Sequence, residues 1–377
     1  MSNDKCFFGT NTGVILSGAV IGAVAAILVH LHNPGNMGIC VACFSRDIAG
    51  ALGLHRFAPA QYLRPELSGF VLGALGSALL SKEFKPRAGS AAVVRFVLGI
   101  CAAIGTLVFL GCTWRVFLRL GGGDANALYG ILGLVLGIGL AVVFMKRGYG
   151  LGRSKPAPWA LGWVMPVLAV SLVALLLWDP KLGPVDPDNN RIGPVFATPA
   201  GKGPGGMHAI WYWALAGGLL IGFLAQRSRF CTVGALRNIM AIRDLHLFYG
   251  VVALVVVNAA VNLGLRQFKW GFEGQPFAHT QTLWNILGMA LAGVAFTLGG
   301  GCPGRQFILA GEGDSDAGVF CLGMIGGTAL AHNFALVSSP TTANMAGGPG
   351  PAGQAAVIGG LIVCAVIGLT MREPKEV

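Results

Sequence analysis

Four short segments of the sequence each combine a cysteine with an arginine at a fixed spacing. In two of them the arginine follows the cysteine by three residues, and in the other two by six. The segments begin and end at Cys112 and Arg115, Cys302 and Arg305, Cys40 and Arg46, and Cys231 and Arg237. A thiol is a weak, uncharged hydrogen-bond donor, whereas arginine is a permanent cation with five donors. Together these residue types predict a path that passes a small anion along without holding it tightly.

The composition places these segments in a membrane protein. Of the 377 residues, 54% are hydrophobic and only 11% are charged, whereas an average soluble domain carries roughly 25% charged residues. Too few polar side chains remain to cover a surface that faces water. A soluble enzyme, a nucleic-acid-binding protein and a disordered protein are therefore excluded, and the sequence predicts an all-α polytopic membrane protein.

Ten stretches approach the roughly 20 apolar residues that a membrane span requires. They are residues 13–32, 66–80, 90–110, 125–145, 157–178, 207–226, 246–265, 282–300, 314–336 and 350–370. Between them lie four segments that are too short to span and that predict half-helices. These are residues 38–54, 112–123, 229–243 and 302–311. All four contain one of the Cys–Arg pairs.

The charged residues between the spans predict the orientation. Lysine and arginine accumulate in cytoplasmic connections, and the clusters in 82–87 and 146–155 are the strongest of this kind. The long connection 179–206, which contains aspartate, proline and glycine, is predicted to be external. Ten spans then leave both termini in the cytoplasm. The net charge of +11 is partly this orientation signal and partly the arginines of the four Cys–Arg segments.

The Cys–Arg segments recur because the chain resembles itself. The segment that begins at Gly111 aligns with the segment that begins at Gly301, at an offset of 190 residues. The segment that begins at Cys40 aligns with the one that begins at Cys231, at an offset of 191. Each half contains five predicted spans, an odd number, so the second half must enter the membrane in the opposite sense. This is an inverted repeat, a transporter architecture in which broken helices meet near the membrane midplane. The predicted units are residues 1–180, an external linker 181–206, and residues 207–377.

Glycines precede two of the paired cysteines and predict breaks in the membrane helices. Gly111 lies before Cys112, and Gly300 and Gly301 lie before Cys302. Non-helical backbone is tolerated at membrane depth only where it is buried in protein or lines a cavity. A half-helix that starts at such a break presents free N–H groups and a partial positive charge, which favour an anion and the thiolate form of a cysteine.

The arginines and the remaining cysteines allow two interpretations. The arginines either attend an anion path or brace the broken helices by reaching carbonyls or carboxylates, with Asp124 and Asp314 as candidate partners. Five cysteines have no counterpart in the other half and are interpreted as small buried hydrophobic residues. They are Cys6, Cys43, Cys101, Cys321 and Cys364. Cys43 is also a candidate for the path, because it lies three residues from Cys40.

The cysteine motifs resemble those of a known family. The motifs are Arg229-Phe230-Cys231, Gly111-Cys112 and the run from Leu298 to Gly304, LGGGCPG, and they are similar to motifs of the YeeE/YedE sulphur-transport family of inner-membrane proteins. The resemblance implies uptake of a small sulphur-containing anion, thiosulfate in the characterised branch, relayed by cysteines that face the pore. These cysteines would be Cys40 or Cys43, Cys112, Cys231 and Cys302.

The resemblance is closer to one branch of this family. The chain length, the Cys40-Val-Ala-Cys43 segment and the segments around Arg115 and Arg305 look like the YedE branch, which is associated with selenium metabolism. This implies that the cargo is an inorganic selenium compound or a thiosulfate-like anion. The residues themselves do not choose between sulphur and selenium.

Two alternative functions are less consistent with the repeat. A membrane thiol–disulfide enzyme would use Cys40 and Cys43, whose spacing is that of redox motifs, but the second half has Gly234 where the second cysteine would be. A structural membrane subunit would show no uptake by itself. The scattered histidines and cysteines predict no metal site, and no cofactor is expected.

The expected partners follow from a transport function. They are a small inorganic anion, the lipid bilayer and a cytosolic protein that handles sulphur or selenium. The sequence contains no G-x-x-x-x-G-K-[ST] motif, so direct coupling to ATP is not expected. Passive flow, ion coupling and consumption of the cargo in the cytosol stay open as driving forces.

Overall fold

A computed structural model describes residues 7–178, 195–343, 345 and 347–372. Within these residues the chain forms fifteen α-helices and one pair of two-residue strands. The helices are α1 Asn11–His30, α2 Val41–Ala51, α3 Pro65–Leu80, α4 Ala92–Phe109, α5 Arg115–Gly121, α6 Asn126–Lys146, α7 Trp159–Gly162, α8 Val164–Trp178, α9 Trp211–Arg227, α10 Thr232–Ile242, α11 His246–Gly264, α12 Thr282–Leu298, α13 Pro303–Gly311, α14 Ser315–Asn333 and α15 Pro351–Thr370. The strands, β1 Arg87–Ala88 and β2 Lys155–Pro156, pair antiparallel. The predicted all-α fold is confirmed.

Ten of these helices are 15 to 21 residues long, and each overlaps most of one predicted span. Six helical segments of the described chain are long and apolar enough to cross a membrane, and α8 is a shorter apolar helix. Large apolar side chains such as Leu136, Val256 and Ile362 point outward with more than half of their surface exposed. A water-facing surface would not expose so many large apolar side chains. The chain is a multi-pass membrane protein.

Small residues bring the long helices into close contact. The space beside Gly133 and Gly137 of α6 is filled by the backbone of α12, and the space beside Gly323 of α14 is filled by the backbone of α4. Membrane helices gain no hydrophobic driving force from each other, so they associate through such close backbone packing. Any larger side chain at these glycines would force the helices apart.

The two halves of the chain interleave instead of forming separate lobes. The first-half helices α1 and α3 pack on the second-half helices α11 and α9, while α4 and α6 pack on α14 and α12. The shorter helices follow the same reciprocal pattern, because α13 packs on α3 and α5 packs on α11. Each of these helices therefore packs on a helix of the other half, and the contact recurs with the two halves interchanged. Residues 179–194 of the predicted external linker lie outside the described residues.

The bundle has two faces that differ in chemistry. The cavity face carries residues 57–60, 203–207, 276–281 and 334–340, several of which line a cavity. The ion-pair face carries residues 81–91, 147–158, 227–230 and 312–316, which are joined by salt bridges and hydrogen bonds. Helix α4 runs from the ion-pair face to the cavity face, because Leu107 and Leu110 at its end line the cavity. The segments predicted to be cytoplasmic, 82–87 and 146–155, lie together at the ion-pair face.

Candidate functional site

Three of the four short helices begin at a cysteine. Cys40, Cys231 and Cys302 are the N-cap residues of α2, α10 and α13. In each case Sγ accepts the backbone N–H of the residue three positions further on, at 3.4, 3.1 and 3.4 Å. Cys112 makes the same contact with the backbone N–H of Arg115 at the start of α5. The thiol thus replaces the serine, threonine or aspartate that usually satisfies a free N–H at this position.

The four matched cysteines meet as two pairs in the centre of the bundle. The side chains of Cys40 and Cys112 lie close enough to interact, and so do those of Cys231 and Cys302. In the second pair the backbone N–H of Cys302 also donates to Cys231 Sγ at 3.3 Å. All four side chains are buried, with Cys231 the most exposed at 5%. Each pair belongs to one half of the chain.

Residues next to the cysteines connect the two pairs. Thr113 Oγ1 lies 2.9 Å from Thr232 Oγ1, and these residues directly follow Cys112 and Cys231. The indole Nε1–H of Trp114 donates to Cys302 Sγ at 3.2 Å. A chain of polar groups therefore runs from the first pair to the second. The sequence analysis missed these residues, although their positions directly after paired cysteines in the repeat could have identified them.

Trp114 fills the centre of the bundle between the two pairs. It is fully buried, and its ring centroid lies 5.7 Å from that of Phe70 and 5.3 Å from that of Phe230. A Cβ at Gly304 would lie 2.6 Å from the indole ring. The glycine after Cys302-Pro303 is therefore required because α13 approaches the tryptophan so closely.

A cavity of about 470 Å³ lies at the cavity face above the first cysteine pair. Cys43 lines the cavity, and its Sγ lies 2.7 Å from Cys40 Sγ. The rest of the wall is mostly apolar, with Arg46 and Arg115 as its cationic residues. The cavity thus leads from the protein surface to the cysteines through Cys43, one of the residues that the sequence analysis left as a candidate.

Arg115 brings a positive charge to this cavity without a carboxylate partner. Its guanidinium donates to the carbonyl oxygens of Asn36 at 3.0 Å and Pro276 at 3.2 Å, and also to that of Leu110. Its Nη1 lies 3.8 Å from Cys43 Sγ. No carboxylate of the described residues forms a salt bridge with it. The carbonyls orient the guanidinium but leave its charge uncompensated.

Arg46 shares a carboxylate with a second buried arginine. Its Nη2 lies 2.6 Å from Asp47 Oδ1, while Arg64 Nε lies 2.8 Å from Asp47 Oδ2. Arg46 therefore retains part of its positive charge at the cavity wall. The sequence analysis did not identify Arg64, because nothing in the repeat distinguishes it.

Of the two predicted arginines in the second half, only Arg305 pairs with a carboxylate of the described residues. Arg305 Nη1 lies 3.1 Å from Glu312 Oε1, and Arg229 Nη1 lies 3.0 Å from the same oxygen. Arg237 donates to the side-chain oxygen of Asn238 at 3.2 Å. The structure therefore places Arg46 and Arg115 at the cavity and Arg305 beside the ion-pair face, whereas Arg237 does not line the cavity and contacts a neutral amide oxygen.

The bracing partners suggested by the sequence are wrong. Asp124 pairs with Arg119 at 2.6 Å, and Asp314 pairs with Arg87 at 2.8 Å. Arg115 instead reaches carbonyls, and the partner of Arg305 is Glu312. The sequence did not predict Glu312 as the partner of Arg305, because the matched position in the first half is Gly122. Comparison of the two halves therefore could not single out Glu312.

The predicted helix breaks occur at matched positions, with one difference in the residue used. Gly300 has a φ of 98°, a left-handed conformation that favours glycine. Its counterpart Leu110 has a φ of 60°, so in the first half the left-handed residue is the leucine before Gly111. Gly301 follows the turn and lies beside the Arg305 side chain.

The unmatched cysteines, apart from Cys43, are remote from this array. Cys101 of α4 and Cys364 of α15 are hydrogen-bonded to each other, and Cys321 is buried in α14. Cys6 lies outside the described residues. The unmatched thiols thus pack between helices, as expected for small apolar residues.

Comparison with known proteins indicates a transport family. The profile of the family described as sulphur transport matches residues 227–374. The thiosulfate transporter TsuA of Escherichia coli strain K12 is 30% identical to this chain over 101 residues, which are 26% of this chain and 27% of TsuA. The similar segment thus spans about a quarter of the relative, and neither finding describes an enzyme. Residues 227–374 of this chain are thus similar to the sulphur transport family.

Proposed function

We propose that this protein carries a small sulphur-containing anion of the thiosulfate class across the bacterial inner membrane. The single observation that supports this most strongly is the row of two buried cysteine pairs at the starts of half-helices. The row begins below a cavity that holds arginine charge without a full set of carboxylates, and it ends toward the ion-pair face. The anion would move from the cavity to Cys40 and Cys112, and then past Thr113 and Thr232 to the second cysteine pair.

The chemistry of this row suits conduction of an anion. The N-termini of α2, α10 and α13 contribute partial positive charge. Each cap sulphur accepts a backbone N–H through a lone pair, so its S–H can donate to a neighbouring sulphur, as Cys40 does to Cys43, or to the anion. A thiol donor is weak, so the anion gains enough to enter the row but not enough to remain at one site. Multi-site weak binding of this kind is what conduction requires.

In this proposal, Arg115 and Arg46 attract the anion into the cavity. Arg115 and Arg46 supply positive charge in a mostly apolar cavity, where electrostatic attraction is stronger than in water. The carbonyls of Asn36, Leu110 and Pro276 hold the Arg115 guanidinium in place, so binding an anion requires little reorganisation. Arg237 and Arg305 would act later, when the anion leaves the second cysteine pair.

The proposal includes an inverted repeat with the path at the interface of its halves. Reciprocal packing of matched helices and the odd number of long helices in each half support this arrangement, in which substrate sites lie where the repeats meet. The cavity face would be external, because residues 195–206 lead onto it. Both termini would then be cytoplasmic, and a cytosolic protein that consumes the cargo would sustain the inward flow.

The identity of the transported anion is the most specific element of the proposal, and it rests on similarity to known proteins. The relative is named for thiosulfate, and the resemblance of the sequence to the selenium-associated branch adds selenite as a second candidate. The experiment is uptake of labelled thiosulfate, selenite and sulfate into vesicles that contain the purified full chain. We expect uptake of thiosulfate or selenite that excess sulfate does not suppress.

Two results of this experiment would contradict the proposal. Equal uptake with and without the protein would indicate a structural subunit instead of a transporter. Complete suppression by sulfate at equal concentration would overturn the cargo class, because the cysteine row would then offer no selectivity for a soft sulphur or selenium atom.

A further inference from the structure

Glu66, in the first turn of α3, is a buried carboxyl group for which the proposed path has no use. Its residue surface is fully buried. The side-chain Nδ2 of Asn33 donates to Oε1 at 2.8 Å, whereas Oε2 is buried without a hydrogen-bond partner. An ionisable side chain inside a membrane bundle is costly and usually has a functional role. The unpartnered oxygen indicates a place where a proton can bind.

Glu66 belongs to a buried charge cluster that reaches the cavity. It interacts electrostatically with Arg64 and Asp47, and Asp47 also binds Arg46 at the cavity wall. Arg64 Nη2 donates at 2.5 Å to the carbonyl oxygen of Pro204, which lines the same cavity. The Arg64 Nη1 is a second buried polar atom without a partner. The cluster is thus incompletely satisfied on both its acidic and its basic side.

The charge of this cluster depends on one proton. Two arginines and two carboxylates balance when Glu66 is ionised, whereas one positive charge remains when Glu66 is protonated. An anion in the cavity beside Arg46 is attracted to the second state, and charges attract strongly in an environment of low dielectric. Binding of the anion and binding of the proton therefore stabilise each other, and this coupling is reciprocal.

We propose that Glu66 is a proton-binding site coupled to the transported anion. When the anion occupies the cavity, Oε2 takes one proton from a hydronium ion of the water that reaches the cavity, so one O–H bond of the hydronium ion breaks and an O–H bond to Oε2 forms. When the anion leaves, the O–H bond to Oε2 breaks and a water molecule takes the proton to form hydronium again. The inference rests on the proposed function, because it assumes that an anion occupies this cavity.

The other ionisable groups around Glu66 are identified from every element packed on α3. Tyr62 and Arg64 lie on the approach to α3, and Asp47 and Arg46 lie on α2. The segment before α9 brings His208, whose ring stacks on Tyr62 at 3.9 Å. Helix α9 itself brings Tyr212, which is exposed, and Arg227, which lies 3.9 Å from Glu83 at the ion-pair face. The connection after α1 brings the exposed His32, while α8 has no ionisable side chain. Helix α13 brings Arg305, which pairs with Glu312 at the ion-pair face. Of these groups, only the two histidines ordinarily titrate near neutral pH, and His208 is the one close to Glu66.

The test measures proton uptake when the purified full chain binds thiosulfate. Binding heats in two buffers of different ionisation enthalpy give the number of protons taken up per anion, from about pH 5 to about pH 8. We expect wild-type protein to take up as much as one proton and its affinity to fall as pH rises, by at most about tenfold per pH unit for one linked proton. Glu66→Gln should bind thiosulfate with no pH dependence and no proton uptake, because the amide keeps the Asn33 contact and fixes the cluster at one positive charge.

Two further variants make the result decisive. His208→Gln is the matched control and should retain the proton uptake of the wild type. Glu66→Asp should restore uptake over a shifted pH range, and it replaces Glu66→Gln if that variant does not fold. Wild-type binding without proton uptake, or unchanged uptake in Glu66→Gln, would overturn the inference while the proposed function stands. Absence of thiosulfate binding by the wild type would instead overturn the proposed function, and this inference with it.

Discussion

Arg115 and Arg305 occupy equivalent positions in the two halves of the chain, yet their surroundings differ in charge. Arg305 pairs with Glu312 at 3.1 Å, whereas Arg115 is held by carbonyl oxygens beside an open cavity. The position equivalent to Glu312 in the first half is Gly122. Among the described residues, Arg115 therefore has no carboxylate partner, whereas Arg305 has Glu312. The matched positions have the same cysteine and arginine, and the acidic residue differs between them.

The second arginine pair shows the opposite distribution. Arg46 and Arg237 each contact the side-chain oxygen of the following residue, which is Asp47 in the first half and Asn238 in the second. Asp47 is shared with Arg64, so it neutralises neither arginine completely. Of these two acids, only Glu312 pairs with an arginine that lies three residues after a paired cysteine. Under the proposed function, this difference predicts that the anion enters at the cavity face and that the ion pairs close the opposite face.

The largest effect is expected where the halves are alike, at the paired cysteines. Cys112→Ala and Cys302→Ala should each lower thiosulfate uptake at least tenfold, because each removes an S–H donor from the row and a cap from a half-helix. Loss of the cap alone costs about 1 kcal/mol of stability. Initial uptake rates in cells, normalised to the amount of protein in the membrane, measure the effect.

The matched control for the cysteines is Cys364→Ala. Cys364 is also buried, but it lies on α15 beside Cys101 and has no counterpart in the first half. This variant should retain wild-type uptake. Equal activity in all three variants would exclude a cysteine relay, and loss in only one of the first two would show that the halves are not equivalent at their cysteines.

The next effect is expected where the halves differ, at the matched arginines. Arg115→Gln should raise the KM for thiosulfate about tenfold, because a charge-assisted hydrogen bond contributes roughly 1.5–3 kcal/mol. Arg305→Gln should raise KM by less, since Glu312 already compensates the charge of Arg305. Concentration dependence of initial uptake gives both values, and Arg115→Lys, which keeps the charge, should lie between Arg115→Gln and wild type. A larger KM effect at Arg305 than at Arg115 would reverse the assignment of the entry side.

Sequence reasoning could predict the fold because membrane spans have a strong local signal. The ten apolar stretches and the four short segments correspond to helices in the structure, since a chain in the bilayer must satisfy its backbone hydrogen bonds within helices. Comparison of the two halves of the sequence also singled out the four paired cysteines, because they recur at matched positions. Such a comparison can predict only features that both halves share.

Residues that only one half contains were not predictable in this way. Glu312, Trp114 and Arg64 lack matching residue types in the other half, and their roles depend on contacts between distant segments. The bond from Trp114 to Cys302 joins residues 188 positions apart, and the cavity is built from segments that are far apart in the sequence. Local periodicity contains no information about such contacts. The same limit explains the wrong bracing partners, because Asp124 and Asp314 recur in both halves but face other arginines.

The smallest effect, and the sharpest test of the comparison, is expected at Glu312. Glu312→Gln removes the carboxylate that binds Arg305 and Arg229, so the ion-pair face should open more often. Cys231, which is 5% exposed, should then react a few-fold faster with a membrane-impermeant thiol reagent applied from that face. Glu273→Gln removes an exposed carboxylate next to the cavity face and should leave the rate unchanged. If Glu312→Gln also left it unchanged, the ion pairs would not close this face, and the difference between Arg115 and Arg305 would be one of charge alone.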